Sequence, residues 1–161
     1  MATSAGDFIG QRGQNIASER LMEFCGNALP YFNPHVLGDK CPTFDLLVEL
    51  VGPANDAHYF LAQVKATKKG YANGTVRLKV GVKGADIERM VRCPVPTYLI
   101  GVDEPAKAVY IVAIRGALKG RISSIPTRYP LDAANLRILW DEVKEYWEQF
   151  DSGEKKSAFA F

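Results

Sequence analysis

Three polar residues stand where chemistry on an anionic substrate could be done: Asp45 and, eighteen residues on, Gln63 and Lys65 of the run Gln63-Val64-Lys65. Each interrupts an otherwise apolar, β-prone stretch, at 44–51 and at 58–67. Alternate residues of a strand share a face. Phe44, Leu46, Val48 and Leu50 therefore point one way, and Asp45, Leu47 and Glu49 the other. On the second stretch Phe60, Ala62, Val64 and Ala66 share one face, and Leu61, Gln63 and Lys65 the opposite one. If the turn takes three residues, Pro53 to Asn55, Asp45 lies across from Gln63 and diagonal to Lys65. One residue further along, it faces Lys65 itself. Either register gathers a carboxylate, an amide and an ammonium within one side-chain length.

Such a cluster suits phosphodiester hydrolysis assisted by a hard divalent cation, Mg²⁺ or Mn²⁺. A carboxylate anchors the ion, which keeps several waters and meets a phosphate oxygen. A second group helps place the ion or its water, and a lysine screens charge that builds on the phosphorus centre. The competing explanation is a satisfied Asp–Lys pair in an ordinary interior. Buried ion pairs seldom stabilise a fold relative to hydrophobic residues, so two strands diverted to one polar spot ask for a functional reason. Glu49 shares the Asp45 face but lies roughly 13 Å along the strand, too far to hold the same ion.

The 161 residues match one domain, 47% apolar and 24% charged, the profile of a globular chain. No apolar run reaches the roughly 18 residues of a membrane span, and the N-terminus lacks the pattern of a signal peptide, so the cytoplasm is the expected compartment. Cys25, Cys41 and Cys93 are odd in number and widely spaced, against both a disulfide framework and a zinc site. His35 and His58 are equally isolated. Charge is uneven: 61–92 carries eight basic residues against Asp86 and Glu88, a net +6, where the whole chain has +2. A basic middle suggests a face prepared for a polyanion, and within it Lys68, Lys69, Arg77 and Lys79 are the residues expected to grip phosphates.

These residues need elements to hold them. The pattern predicts a helix over 11–29, with Ile16, Leu21, Phe24, Cys25 and Ala28 near one stripe, stopped by Pro30, then the two strands joined by a turn at 52–57. A third strand is expected over 75–82, a short helix over 84–93 and strands over 97–102 and 108–114. A last helix, N-capped by Asp132, should run over 133–150 with Leu136, Leu139, Trp140, Val143, Trp147 and Phe150 on one stripe. Residues 1–150 form the expected domain and 151–161 a flexible tail. The order implies a mixed sheet flanked by helices.

Asp45 followed by Gln63-Val64-Lys65 resembles the D…(D/E/Q)xK core of the PD-(D/E)XK nucleases, with Gln63 similar to the Mrr-type restriction branch. The helix Gly13-Gln14-Asn15-Ile16-Ala17-Ser18-Glu19-Arg20-Leu21 is similar to the opening helix of archaeal Holliday-junction resolvases, where Glu19 matches the acid. A bacterial domain family of unknown function in that superfamily is closer still, over roughly 10–115. The chain departs from it in having Gln63 for an acid and Phe44 for a glycine. The resemblance implies an α/β, three-layer restriction-endonuclease-like fold and metal-dependent cleavage of DNA rather than RNA. It makes Asp45 the main metal ligand, Glu19 and the Val64 backbone carbonyl its supports, Gln63 the positioning group and Lys65 the catalytic cation. A decayed module that binds without cutting, and a regulatory subunit of a bacterial defence system, are the rival readings. A homodimer or a targeting partner stays open.

Overall fold

The computed structural model describes residues 4–52, 57–116, 118–150, 153 and 157–159. Helix α1 (Ala5–Leu21) begins on a capping box, with Ser4 Oγ accepting from Asp7 N at 3.2 Å and Asp7 Oδ2 accepting from Ser4 N at 2.7 Å. It starts six residues before the expected boundary and ends eight before it. Past Leu21 the chain turns at Cys25 and Gly26, both at positive φ, so the apolar residues expected to extend the stripe lie off the helix, and Phe24 is exposed. Strand β1 (Phe32–Val36) has no counterpart among the expected elements, and its Pro34 is tolerated because β1 is an edge.

Strands β2 (Leu46–Leu50) and β3 (Tyr59–Thr67) form the antiparallel hairpin, with Leu46 opposite Ala62. The turn between them at 53–56 lies outside the described residues. Strand β6 (Thr97–Asp103) pairs parallel with β3 and is buried along its whole length, and β7 (Ala108–Ala113) pairs antiparallel with β6. The five-stranded sheet is therefore mixed, in the order β1-β2-β3-β6-β7.

The expected third strand over 75–82 does not join that sheet. Only Arg77–Leu78 (β5) is strand, and it lies between β4 (Tyr71–Ala72) and β8 (Ile125–Pro126) in a separate three-stranded sheet. Helix α2 (Gly84–Arg92) packs beside it. Helix α3 (Ala133–Gln149) forms where its spacing requires, capped by Asp132 Oδ1, which accepts from Asn135 N at 2.9 Å.

Two cores fix the layers. Ala17 and Leu21 of α1, with Leu136, Leu139 and Val143 of α3, cover the face carrying Phe60, Ala62 and Val64. Burying each of those large side chains contributes about 1.5–3 kcal/mol. Leu78, Ile87, Met90 and Ile125 cover the other face, which carries Leu99. This is a three-layer α/β architecture with a mixed central sheet. No helix among the described residues is long and apolar enough to cross a membrane.

Candidate active site

The site forms where β2 and β3 separate. Their ladder stops at Leu46–Ala62 while β3 runs on to Thr67 against β6, which opens a fork in the sheet. The chain bends at Asp45, one residue before β2 begins. Asp45 N still donates to Ala62 O at 2.9 Å, so Asp45 and Leu46 both engage one residue of β3, as in a β-bulge. The ladder thus follows the first of the two expected registers, but it ends short of Asp45.

The bend turns the Asp45 carboxylate into the fork. Oδ2 accepts from Val64 N at 2.6 Å, and Oδ1 accepts from Gln14 Nε2 at 3.1 Å. The Val64 carbonyl faces the same gap. Leu61 N bonds to Pro96 O and Thr67 O accepts from Glu104 N on the β6 side, so odd-numbered residues of β3 turn their backbone groups to β6. Even-numbered ones, Ala62 and Val64, turn theirs to the β2 side.

Gln63 and Lys65 point to the face covered by α2 and the small sheet, since they pair in register with Leu99 and Gly101. Gln63 is 3% exposed, and its Oε1 has no hydrogen-bond partner. Leaving such an acceptor unpaired costs about 1–3 kcal/mol. Lys65 is half-buried, and its charge is felt at Asp45. Burial raises the Asp45 pKa above the ordinary carboxylate range. The Val64 hydrogen bond, the Lys65 ammonium and the Gln14 amide oppose that shift, and the Asp86 carboxylate adds to it.

Glu19 is not brought to this place. It is exposed, and it follows Gln14 by five residues, about 140° further round the helix. The α1 side chain that reaches Asp45 is Gln14, and its approach depends on Gly13, whose hydrogen faces Ala66 of β3. Nothing in residue type singled Gln14 out, because a glutamine on an amphipathic helix is an ordinary surface residue. Asp86 was also overlooked. Thr43 Oγ1 donates to it at 3.4 Å and Arg89 pairs with it at 3.5 Å, tying the Asp45 loop to α2.

Of the expected phosphate-gripping residues, Lys68 and Lys69 are exposed at the end of β3. Lys68 Nζ lies 3.8 Å from the buried Glu104, which also accepts from Arg12 Nε at 2.5 Å, so part of its charge is balanced. Arg77 and Lys79 lie at the small sheet, on the same side of the main sheet as Lys65. Glu49 pairs with His35 at 2.5 Å across β1 and β2, apart from the fork.

Asp45 carries two oxygens with about four lone-pair positions, so its two hydrogen bonds leave room for a cation. Asp45, the Val64 carbonyl and the unpartnered Gln63 Oε1 are hard oxygen donors, the type Mg²⁺ takes, and Mg²⁺ accepts a single carboxylate when water and phosphate complete its shell. By donor type the Asp45 carboxylate and the Val64 carbonyl, which share the gap, fit such an ion, while Gln63 Oε1 is buried toward the α2 face of the sheet.

Among solved structures the chain is similar to a nuclease from a fusselovirus, with a TM-score of 0.54 and 12% identity over 92% of this chain and 99% of the other. At that identity the likeness is one of fold. No protein-family model matches the chain, and no curated protein matches it.

Proposed function

We propose that the chain is a metal-dependent nuclease of the PD-(D/E)XK type that hydrolyses phosphodiester bonds in DNA. The observation that carries this reading is the fork itself, where the Asp45 carboxylate and the Val64 carbonyl share a gap in the sheet beside Lys65. Asp45 and the Val64 carbonyl would hold Mg²⁺ or Mn²⁺, with Gln63 Oε1 as a further oxygen. A bound ion of this kind polarises a phosphoryl oxygen and makes its water a better nucleophile. The Lys65 ammonium stabilises negative charge growing on the phosphate oxygens. Gln14 holds the carboxylate in one orientation through Oδ1. Glu19, exposed on α1, has no part in this scheme. The likeness of Gln63-Val64-Lys65 to restriction enzymes extends the proposal to a bacterial defence role, with a second copy or a partner supplying the target.

A second reading, a nuclease-fold module that binds DNA without cutting it, is favoured by one observation. Amides, Gln14 and Gln63, stand where further carboxylates would complete a metal site. Among the described residues no three of His, Cys, Asp or Glu gather to hold an ion. Titrating Mg²⁺ and Mn²⁺ against plasmid, single-stranded and branched DNA separates the two readings, with Lys65→Ala as control. Cleavage that needs metal and Lys65 supports the enzyme. Binding indifferent to metal, with no cleavage, supports the module.

A further inference from the structure

A second basic feature lies outside the Asp45 site. Between 105 and 131 the chain has no acid and five basic residues, Lys107, Arg115, Lys119, Arg121 and Arg128. Folding brings two of these beside Arg77. A cavity of 400 Å³ between β7 and β8 is lined by Arg77, Arg115 and Arg128 together with Ser124 and Tyr129. A second cavity of 520 Å³ shares Arg77, Pro126 and Arg128 with the first and continues it past Thr127. The lining of this joined groove contains no carboxylate, and none of the three arginines pairs with one among the described residues. Glu142, across a neighbouring cavity from Arg115, accepts from Tyr98 O–H at 2.6 Å.

Two of the three guanidiniums have described partners. Arg77 spends Nε and Nη2 on Ser124, at 2.8 Å and 2.9 Å, which fixes its plane and leaves its remaining donors open. Arg128 lies 4.9 Å over one face of the Tyr129 ring, and Tyr129 as a whole is 43% exposed. Fixed guanidinium forks match phosphate oxygens, and an exposed aromatic ring next to them offers a base a surface to stack on.

We propose that this groove holds an unpaired nucleic-acid strand, with phosphates on Arg77, Arg115 and Arg128 and a base against Tyr129. A duplex would bury its bases from Tyr129 and use only the charge. The groove and the fork open on the same side of the main sheet, because Leu78 and Ile125 of the small sheet cover Gly101, the register partner of Lys65. The inference shares a nucleic-acid partner with the proposed function but does not need cleavage.

The test is fluorescence anisotropy in EDTA, with a labelled oligo-dT strand and a duplex of equal length, over a range of salt. The wild-type chain binds the single strand more tightly than the duplex. Arg115→Ala/Arg128→Ala lowers single-strand affinity at least ten-fold and flattens the log–log salt slope by about 1.4, from about 0.7 per lost phosphate contact. Tyr129→Ala lowers it at least five-fold with the slope unchanged, because stacking releases no counterions. Circular dichroism melts confirm that the variants fold. Equal affinity for strand and duplex, or a double variant that binds like wild type, overturns the groove and leaves the Asp45 reading standing. Strand binding that obeys these rules in a protein that never cuts overturns the nuclease reading and leaves the groove. A chain that binds no nucleic acid at low salt overturns both.

Discussion

A Cβ placed on Gly13 would come 2.4 Å from the Cβ of Ala66, so α1 meets β3 at the only distance that a hydrogen allows. That contact sets the height of Gln14, one residue on, and so its 3.1 Å bond to Asp45. Gly13→Ala forces the helix outward. The expected loss is about 1–3 kcal/mol, the usual cost of overpacking a core. Urea denaturation measures it, and Ala66→Gly in the same chain should recover part of the loss. Equal stability of Gly13→Ala and wild type would show that the contact yields freely.

Asp45 predicts an unusual pH response. Its pKa is raised in the folded state, chiefly by burial, so folding favours its protonated form. The stabilisation from that preference is complete below the unfolded aspartate value, about 3.9, and is lost as pH rises through the folded value. At neutral pH without metal, Asp45→Asn is therefore expected to melt higher than wild type, with the gap closing as pH falls. Mg²⁺ at a hundred times its Kd should stabilise wild type by about 2.7 kcal/mol and leave Asp45→Asn unmoved. Thermal melts across pH, with and without Mg²⁺, check both halves.

Gln14→Glu adds a carboxylate beside Asp45. In EDTA two like charges at one buried site should lower the melting temperature, and Mg²⁺ should more than restore it. Gln63→Glu, on the strand next to the Val64 carbonyl, is expected to raise metal affinity as well. Isothermal titration with Mn²⁺ reads both effects, and affinity unchanged by either substitution would remove the metal from the fork.

On the proposed reading Lys65→Ala should reduce cleavage by at least a hundred-fold while Mn²⁺ affinity holds, because there the ammonium would act on developing phosphate charge rather than on the ion. Single-turnover cleavage paired with the same titration separates the two roles. Loss of metal binding together with cleavage would make Lys65 structural.

Charge reversal at Lys68 and Lys69 should weaken DNA binding uniformly across sequences and flatten its salt dependence. Lys69 is expected to matter more, since Glu104 already balances part of Lys68. Reversing each lysine singly in a salt titration tests that order.

Much of this was legible along the chain because its causes are local. The α3 stripe, the Asp132 cap, the hairpin register and the β6–β7 pair follow from periods of 3.6 and 2 and from turn residues that act within a few positions. Asp45, Gln63 and Lys65 stand out along the chain for the same reason, since each breaks an apolar strand. What tertiary structure decided was which neighbours those residues meet. Periodicity places Glu19 and Gln14 on one helix, but the Gly13–Ala66 contact sets how that helix is rolled and turns Gln14, not Glu19, to Asp45. Residues 75–82 alternate like a strand of the main sheet. Yet β6 takes the place beside β3, because its seven residues can be buried on both faces, while Arg77 needs one side in water. Arg77 and Arg128 lie 51 residues apart in the chain, and only the pairing of β5 with β8 makes them neighbours. Spacing along the chain reports what a residue does to its own element, whereas contacts between elements depend on helix roll and strand order, which short-range periodicity does not encode.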